Sequence, residues 1–128
     1  MKAEVKHLFC VDIPDLDNWR PTYSGDVYVL LYIDIGPTGE ETADFFYAVA
    51  ATREGLQRHL GEEYRNPDAR CMMIHKYDFK LIQEGSLNFS QLIMQRIEDI
   101  VSQYEGTDWQ DIAEKLSQHF YWEYDNHK

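Results

Sequence analysis

The strongest candidates for chemistry lie near the start of the chain, where three aspartates occur within six positions: Asp12, Asp15 and Asp17. A calcium loop needs oxygen ligands at alternate positions, a glycine for its sharp turn and a distal bidentate glutamate. This stretch contains Pro14, has no glycine, and is followed by no glutamate within reach. We therefore expect a solvated turn, bent by Asp17 or Asn18, and assign no metal ligand here.

Histidines and cysteines, the other common carriers of catalysis, form no recognisable pattern. The five histidines are His7, His59, His75, His119 and His127. None has a zinc-binding spacing, and the chain has no G-x-S-x-G, P-loop or G-x-G-x-x-G motif. Cys10 and Cys71 lie among apolar residues and are interpreted as buried thiols. We therefore predict a protein that is not an enzyme, with no catalytic residue, cofactor or metal.

One aspartate pair leaves an enzymatic alternative open. Asp108 and Asp111 are spaced so that one could act as an acid and the other as a base. Negative charge in the first turn of a helix explains both residues more simply. A small hydrolase that uses Asp and His side chains is therefore kept as the alternative to a binding protein.

The elements that position these residues follow from the spacing of the apolar side chains. Alternating or β-branched stretches predict strands, and apolar residues that recur every three or four positions predict helices. The predicted strands cover residues 5–13, 27–35, 42–50, 70–77 and 119–124. The predicted helices begin at Thr52, Asn88 and Thr107 and end near residues 66, 104 and 116. This order predicts an α+β fold, a single domain whose antiparallel β-sheet has two or three helices packed on one face.

Two local patterns make this prediction specific. In the first strand, Val5, His7 and Phe9 alternate and are expected to share the side that faces the core. In the helices, Asn88 with Gln91 has the spacing of a capping box, and Thr107 is expected to cap the last helix. Each pattern names side chains whose positions a structure can check.

Composition and charge describe an acidic globular protein. The 128 residues carry a net charge of −11, and their number is that of one domain. Residues 1–44 and residues 81–128 each carry nine acids against three bases, whereas residues 45–80 carry five acids and six bases. Such a surface repels phosphates and attracts basic ligands. We therefore expect no nucleic acid partner.

The remaining composition favours protein binding. No apolar run is long enough to span a membrane, and the first residues lack the apolar core of a secretory signal, so we expect a cytoplasmic protein. Nine tyrosines and three tryptophans exceed what one small core hides comfortably. These two residue types dominate binding hot spots. An acidic adaptor with an endogenous protein partner is therefore a second alternative.

Two stretches of the chain resemble a known family. They are "LFCVDIPDLDNWRP" at residues 8–21 and "GTDWQDIAEKLSQHFYWEY" at residues 106–124. Their most specific parts are the D-W-Q-x-[IV]-A-E-K-L helix and the terminal W-E-[YF]. On these motifs, and on the matching residues 33–46 and 75–79, the chain resembles bacterial immunity protein 8.

The resemblance implies an α+β immunity protein of a bacterial polymorphic toxin or contact-dependent inhibition system. Such a protein binds the C-terminal domain of a cognate toxin, and no enzymatic activity is implied. Many of these toxins are nucleases with basic surfaces, which an acidic protein would attract. We hypothesise that Asp15 and Asp17 steer the toxin, that Trp19 and Arg20 contact it, and that Trp19 or exposed tyrosines anchor it. A second copy of the chain is the other partner that exposed tyrosines would suit.

Overall fold

The computed structural model describes residues 1–19, 26–60, 70–85 and 87–124. Along these residues the elements are β1 (Ala3–Phe9), β2 (Tyr28–Pro37), β3 (Asp44–Ala51), α1 (Arg53–Leu60), β4 (Cys71–Met73), α2 (Lys76–Gln83), α3 (Phe89–Val101), α4 (Trp109–Leu116) and β5 (Tyr121–Trp122). In this part of the chain, no helix is long and apolar enough to cross a membrane.

The strands form one sheet in the order β1-β2-β3-β4. β1 pairs antiparallel with β2, and β2 pairs antiparallel with β3. The other edge of β3 is shared by two short strands, with β5 antiparallel beside Phe46 and Tyr47 and β4 parallel beside residues 49–51. The predicted α+β fold with an antiparallel sheet is thus confirmed, and β4 is its one parallel strand within the described residues.

The turn between β2 and β3 depends on two glycines. Gly39 has a positive φ of 83°, which favours glycine because L side chains rarely adopt it. A Cβ atom on Gly36 would lie 2.0 Å from the carbonyl oxygen of Thr42, so the two strands can approach here only without a side chain. This close turn sets β2 and β3 in register over eight residue pairs.

The core lies between the sheet and the three helices α2, α3 and α4. The inward residues of the two central strands are Val29, Leu31, Ile33, Ile35, Phe46, Ala48 and Ala50. The helices contribute Phe79, Ile82, Phe89, Leu92, Ile93, Ile97, Val101, Ile112, Ala113 and Leu116. Burying these apolar side chains is the main force that holds the helices on this side of the sheet. α1 lies where β2 begins, and its His59 stacks on Tyr28 at 4.1 Å between ring centroids.

Residues 70–77 differ from the predicted strand. β4 has only three residues, and α2, which the sequence analysis missed, begins at Lys76. The cause is Asp78, whose carboxylate accepts from the His75 backbone at 2.8 Å and pairs with Arg96 of α3 at 2.7 Å. Asp78 is 1% exposed. This buried ion pair stabilises the first turn of α2 through Arg96, which lies 18 positions away. The local spacing of apolar residues therefore does not predict the helix.

Two side-chain predictions need correction, and a third is confirmed. The pairing of β1 shifts between Val5 and His7, so His7 lies opposite Asp34 and Phe9 lies opposite Tyr32. The prediction that both face the core is therefore wrong: both lie on the side away from the core, and His7 is exposed. Asp108, not Thr107, caps α4, because its carboxylate accepts from the backbone of Asp111 at 2.9 Å. The capping box predicted for α3 is present at its first turn.

Candidate protein-binding surface

The side of the sheet that faces away from the core carries a row of aromatic side chains. We call this row the aromatic ladder, and its members are Phe9, Tyr32, Phe45, Tyr47 and Tyr121. All five are half-buried, whereas their inward neighbours Ile33 and Phe46 are 0% exposed. Because successive strand residues point to opposite sides, the ladder and the core occupy the two faces of one sheet.

The rings of the ladder are in contact from β1 to β5. Ring centroids are 5.2 Å apart for Phe9 and Tyr32, 5.3 Å for Tyr32 and Phe45, and 5.0 Å for Tyr47 and Tyr121. Phe45 and Tyr47 connect these pairs along β3 at 6.1 Å. Cross-strand aromatic pairs at such distances stabilise a sheet and restrict each other's movement. The ladder is therefore formed before any partner arrives.

The ladder also attracts positive charge. The guanidinium of Arg70 lies 4.6 Å from the ring centroid of Tyr121, the geometry of a cation–π contact. Near the other end, Asp34 lies on the same side of β2 as Tyr32, opposite His7 and Phe45 of the neighbouring strands. The surface thus combines apolar rings with a nearby carboxylate, and the Arg70 side chain of the same protein lies on the ring at one end.

Three of the four residues predicted to bind a partner, Asp15, Asp17 and Trp19, follow β1 in the described part of the chain. Asp15 and Asp17 are exposed, and the Asn18 side chain donates to the Asp15 carboxylate at 2.8 Å. Trp19 is half-buried, with its ring meeting Phe89 of α3 edge-on at 4.8 Å. Arg20 falls outside the described residues. The structure therefore leaves the two carboxylates open to solvent and packs part of Trp19 against the core.

Three residues of the most specific motifs in the family resemblance, Trp109, Trp122 and Glu123, lie in a different cluster. The indole N–H groups of Trp109 and Trp122 both donate to one oxygen of Asp44, at 2.7 and 2.9 Å. We call these three residues the tryptophan clamp. Glu123 adds a carboxylate that accepts from the Phe45 backbone at 2.9 Å. These contacts tie α4 and β5 to the start of β3, so the motif residues act on the fold.

A shallow cleft of about 390 Å³ lies beside the edge strand β4, between β4, α2 and α3. Its lining includes His75, Asp99 and His119, together with Tyr77, which is 60% exposed. These are the residue types that an Asp/His hydrolase would use, so the enzymatic alternative can be tested here. Within the described ranges, no three His, Cys, Asp or Glu side chains are arranged to hold a metal ion.

Two carboxylates outside the ladder have perturbed acidity. Lys6 donates to Glu4, and this hydrogen bond, with a second from the Gly39 backbone, lowers the pKa of the Glu4 carboxyl. A hydrogen bond from the Thr107 backbone, followed by one from Lys115, lowers the pKa of Asp111. Both groups are solvent-accessible and hold turns in place, so neither indicates a catalytic acid or base.

The fold and this surface define a small α+β protein with a preformed aromatic face of the kind that binds other proteins. A family model described as Immunity protein 8 matches residues 3–127, and the chain belongs to this family. The resemblance seen in the sequence is thereby confirmed. Among curated proteins and solved structures, none gives a significant match.

The ladder was not predicted from the sequence, although the surplus of tyrosines in the chain favours such a surface. The available signal was the alternation within β2 and β3. Outward positions of a half-solvated antiparallel sheet are usually polar, whereas here they include Tyr32, Phe45 and Tyr47. The pairing of Tyr32 with Phe9 and of Tyr47 with Tyr121 could not be predicted, because it depends on strand order and register.

Proposed function

We propose that this protein binds a toxin domain made by the same bacterium and neutralises it by physical association, without enzymatic activity. Membership of the Immunity protein 8 family is the observation that carries this proposal. An immunity protein must meet its toxin before the toxin reaches its target, and must then stay bound. Charge accelerates the meeting, and buried contacts slow the dissociation.

A basic toxin domain is the partner that the charge of this protein favours. The net charge of −11 attracts cationic surfaces and raises the rate of encounter with them. Nucleases carry positive surfaces that hold phosphates, so a nuclease toxin fits this requirement. In this proposal, Asp15 and Asp17 steer the toxin from the loop after β1, and the adjoining Trp19 and Arg20 contact it.

The function is tested by expressing the toxin domain encoded beside this gene, with and without this protein. We expect cells that express the toxin domain to survive only when this protein is also present, and we expect the two proteins to purify together. Survival that needs no complex would argue for an enzyme that inactivates the toxin. An adjoining gene that encodes nothing harmful would favour the adaptor and contradict the proposal.

The steering role is tested by reversing the two loop charges. Asp15→Lys with Asp17→Lys should lower the association rate for the toxin domain and weaken its dependence on salt, with little change in dissociation. The measurement is binding kinetics at several salt concentrations. The control, Glu54→Lys with Glu84→Lys, makes the same change in net charge at two exposed positions on or beside α1 and α2. Equal effects from both variants would mean that net charge, not this loop, steers the toxin.

A further inference from the structure

We propose that the aromatic ladder is the surface on which the toxin docks, and that the toxin places arginine or lysine side chains on its rings. This inference rests on the proposed function, because it names the surface through which the partner is held. It assigns the anchoring contacts to the sheet and leaves the loop after β1 with the steering.

The ladder has the composition and rigidity of an anchoring surface. Its five rings are only half-buried, although the opposite face of the same strands is completely covered by helices at Ile33 and Phe46. Contiguous exposed apolar patches on proteins commonly mark binding sites. Because the rings already contact one another, a partner would lose little free energy in ordering them.

The chemistry of the partner follows from what the ladder already binds. The Arg70 guanidinium over Tyr121 shows that a ring of this row accepts a cation on its face. Asp34 supplies a carboxylate beside Tyr32, where a second cation would find both a ring and a negative charge. Arginine and lysine are the side chains that satisfy both groups at once.

The ladder is also placed to receive a partner that the acidic loop attracts. Phe9, the first ring of the ladder, is the last residue of β1, and the loop with Asp15 and Asp17 begins directly after it. Trp19, which follows Asp17 by two residues, packs against Phe89, so less of its ring is accessible to a partner. The acidic loop and the ladder are therefore adjacent in the chain at Phe9.

Charge decides between a toxin and a second copy of this chain as the occupant. Two copies that met through their ladders would each carry a net charge of −11. Like charges on both sides disfavour association, whereas a cationic partner gains from the same arrangement. The ladder therefore fits a basic protein better than it fits itself.

The experiment replaces two central rings by leucine, which keeps an apolar side chain but removes the face that binds cations. Tyr32→Leu with Tyr47→Leu should raise the Kd for the purified toxin domain at least about tenfold, the loss typical of hot-spot residues. Tyr77→Ala is the matched control, because Tyr77 is 60% exposed and lies outside the ladder at the cleft. Calorimetry gives the Kd, and thermal unfolding shows that both variants are folded.

A second variant, Asp34→Lys, keeps the rings and adds a cation beside them, and it should also weaken binding and reduce rescue of cells. Unchanged affinity in both ladder variants, or an equal loss in Tyr77→Ala, would overturn the assignment of the ladder. The assignment would also be overturned if the wild-type protein formed a dimer, and the ladder variants were monomers that still bound the toxin. Failure of the proposed function is a different result, because the wild-type protein itself would then neither rescue cells nor bind the toxin.

Discussion

Two aromatic clusters share strands β3 and β5 but differ in what surrounds their rings. Phe46 and Trp122 stack on the core side at 6.3 Å between centroids, and Phe46 is 0% exposed. Their chain neighbours Tyr47 and Tyr121 stack on the outward side at 5.0 Å and are half-buried. Adjacent residues of the same two strands thus supply one pair to the core and one pair to the surface.

The residues that identify the family differ from the residues that we propose bind the toxin. The motif residues Trp109 and Trp122 are held by Asp44 in the tryptophan clamp, where their indole N–H groups have a partner inside the fold. The ladder rings contact one another and remain accessible. A family motif made of clamp residues therefore reports the fold, whereas in our proposal the choice of toxin depends on the ladder side chains on the other face.

The largest expected effect comes from removing a clamp ring. Trp122 is 8% exposed, and Trp122→Ala should lower the free energy of unfolding by about 3–5 kcal/mol, the usual cost of deleting a buried aromatic side chain. The measurement is chemical denaturation. The comparison variant is Tyr32→Leu with Tyr47→Leu, which keeps apolar bulk at half-buried positions and should lose much less. A ladder variant as unstable as Trp122→Ala would mean that both clusters serve the fold.

A smaller loss should follow when the acceptor of the clamp is removed. Asp44→Ala leaves two indole N–H groups without their carboxylate, and hydrogen bonds to charged groups contribute about 1.5–3 kcal/mol. Asp44→Asn retains an acceptor oxygen and should fall between the wild type and Asp44→Ala in unfolding free energy. Equal stability of all three proteins would show that water replaces Asp44 without cost. In each folded variant, the Kd for the toxin should stay close to that of the wild type.

Sequence reasoning found the parts of the fold whose causes are local. The hairpin of β2 and β3 follows from alternation and from the glycines of its turn, and the first turn of α3 follows from the spacing of Asn88 and Gln91. α2 escaped because its first turn depends on the buried pair of Asp78 and Arg96, which are far apart in the chain. Periodicity therefore predicts the elements whose causes are local, and it misses an element that depends on a long-range contact.

At the candidate site, too, the features that depend on local sequence could be predicted and those that depend on long-range contacts could not. Asp15 and Asp17 could be placed on the surface from their loop composition, and both are exposed. Trp19 was predicted to contact the partner, and part of its ring packs against Phe89, a contact between residues 70 positions apart. The ladder requires four strands in register, and the spacing of apolar residues predicts strands without their register. A surface built across strands is visible only once their order is known.

The smallest expected effect concerns the helix that carries one clamp ring. α4 begins at Trp109, and Asp111 holds its first turn by accepting from the Thr107 backbone at 3.1 Å and from Lys115 at 3.2 Å. Since these bonds lower the pKa of Asp111 below 3.8, the charged carboxylate adds stability at neutral pH. That contribution is lost as the pH falls through the lowered pKa. Asp111→Asn should therefore be slightly less stable than the wild type at neutral pH, and the difference should shrink in acid. Thermal unfolding across this pH range measures it, and a difference that stays constant or grows in acid would show that the charge of Asp111 does not support the clamp helix.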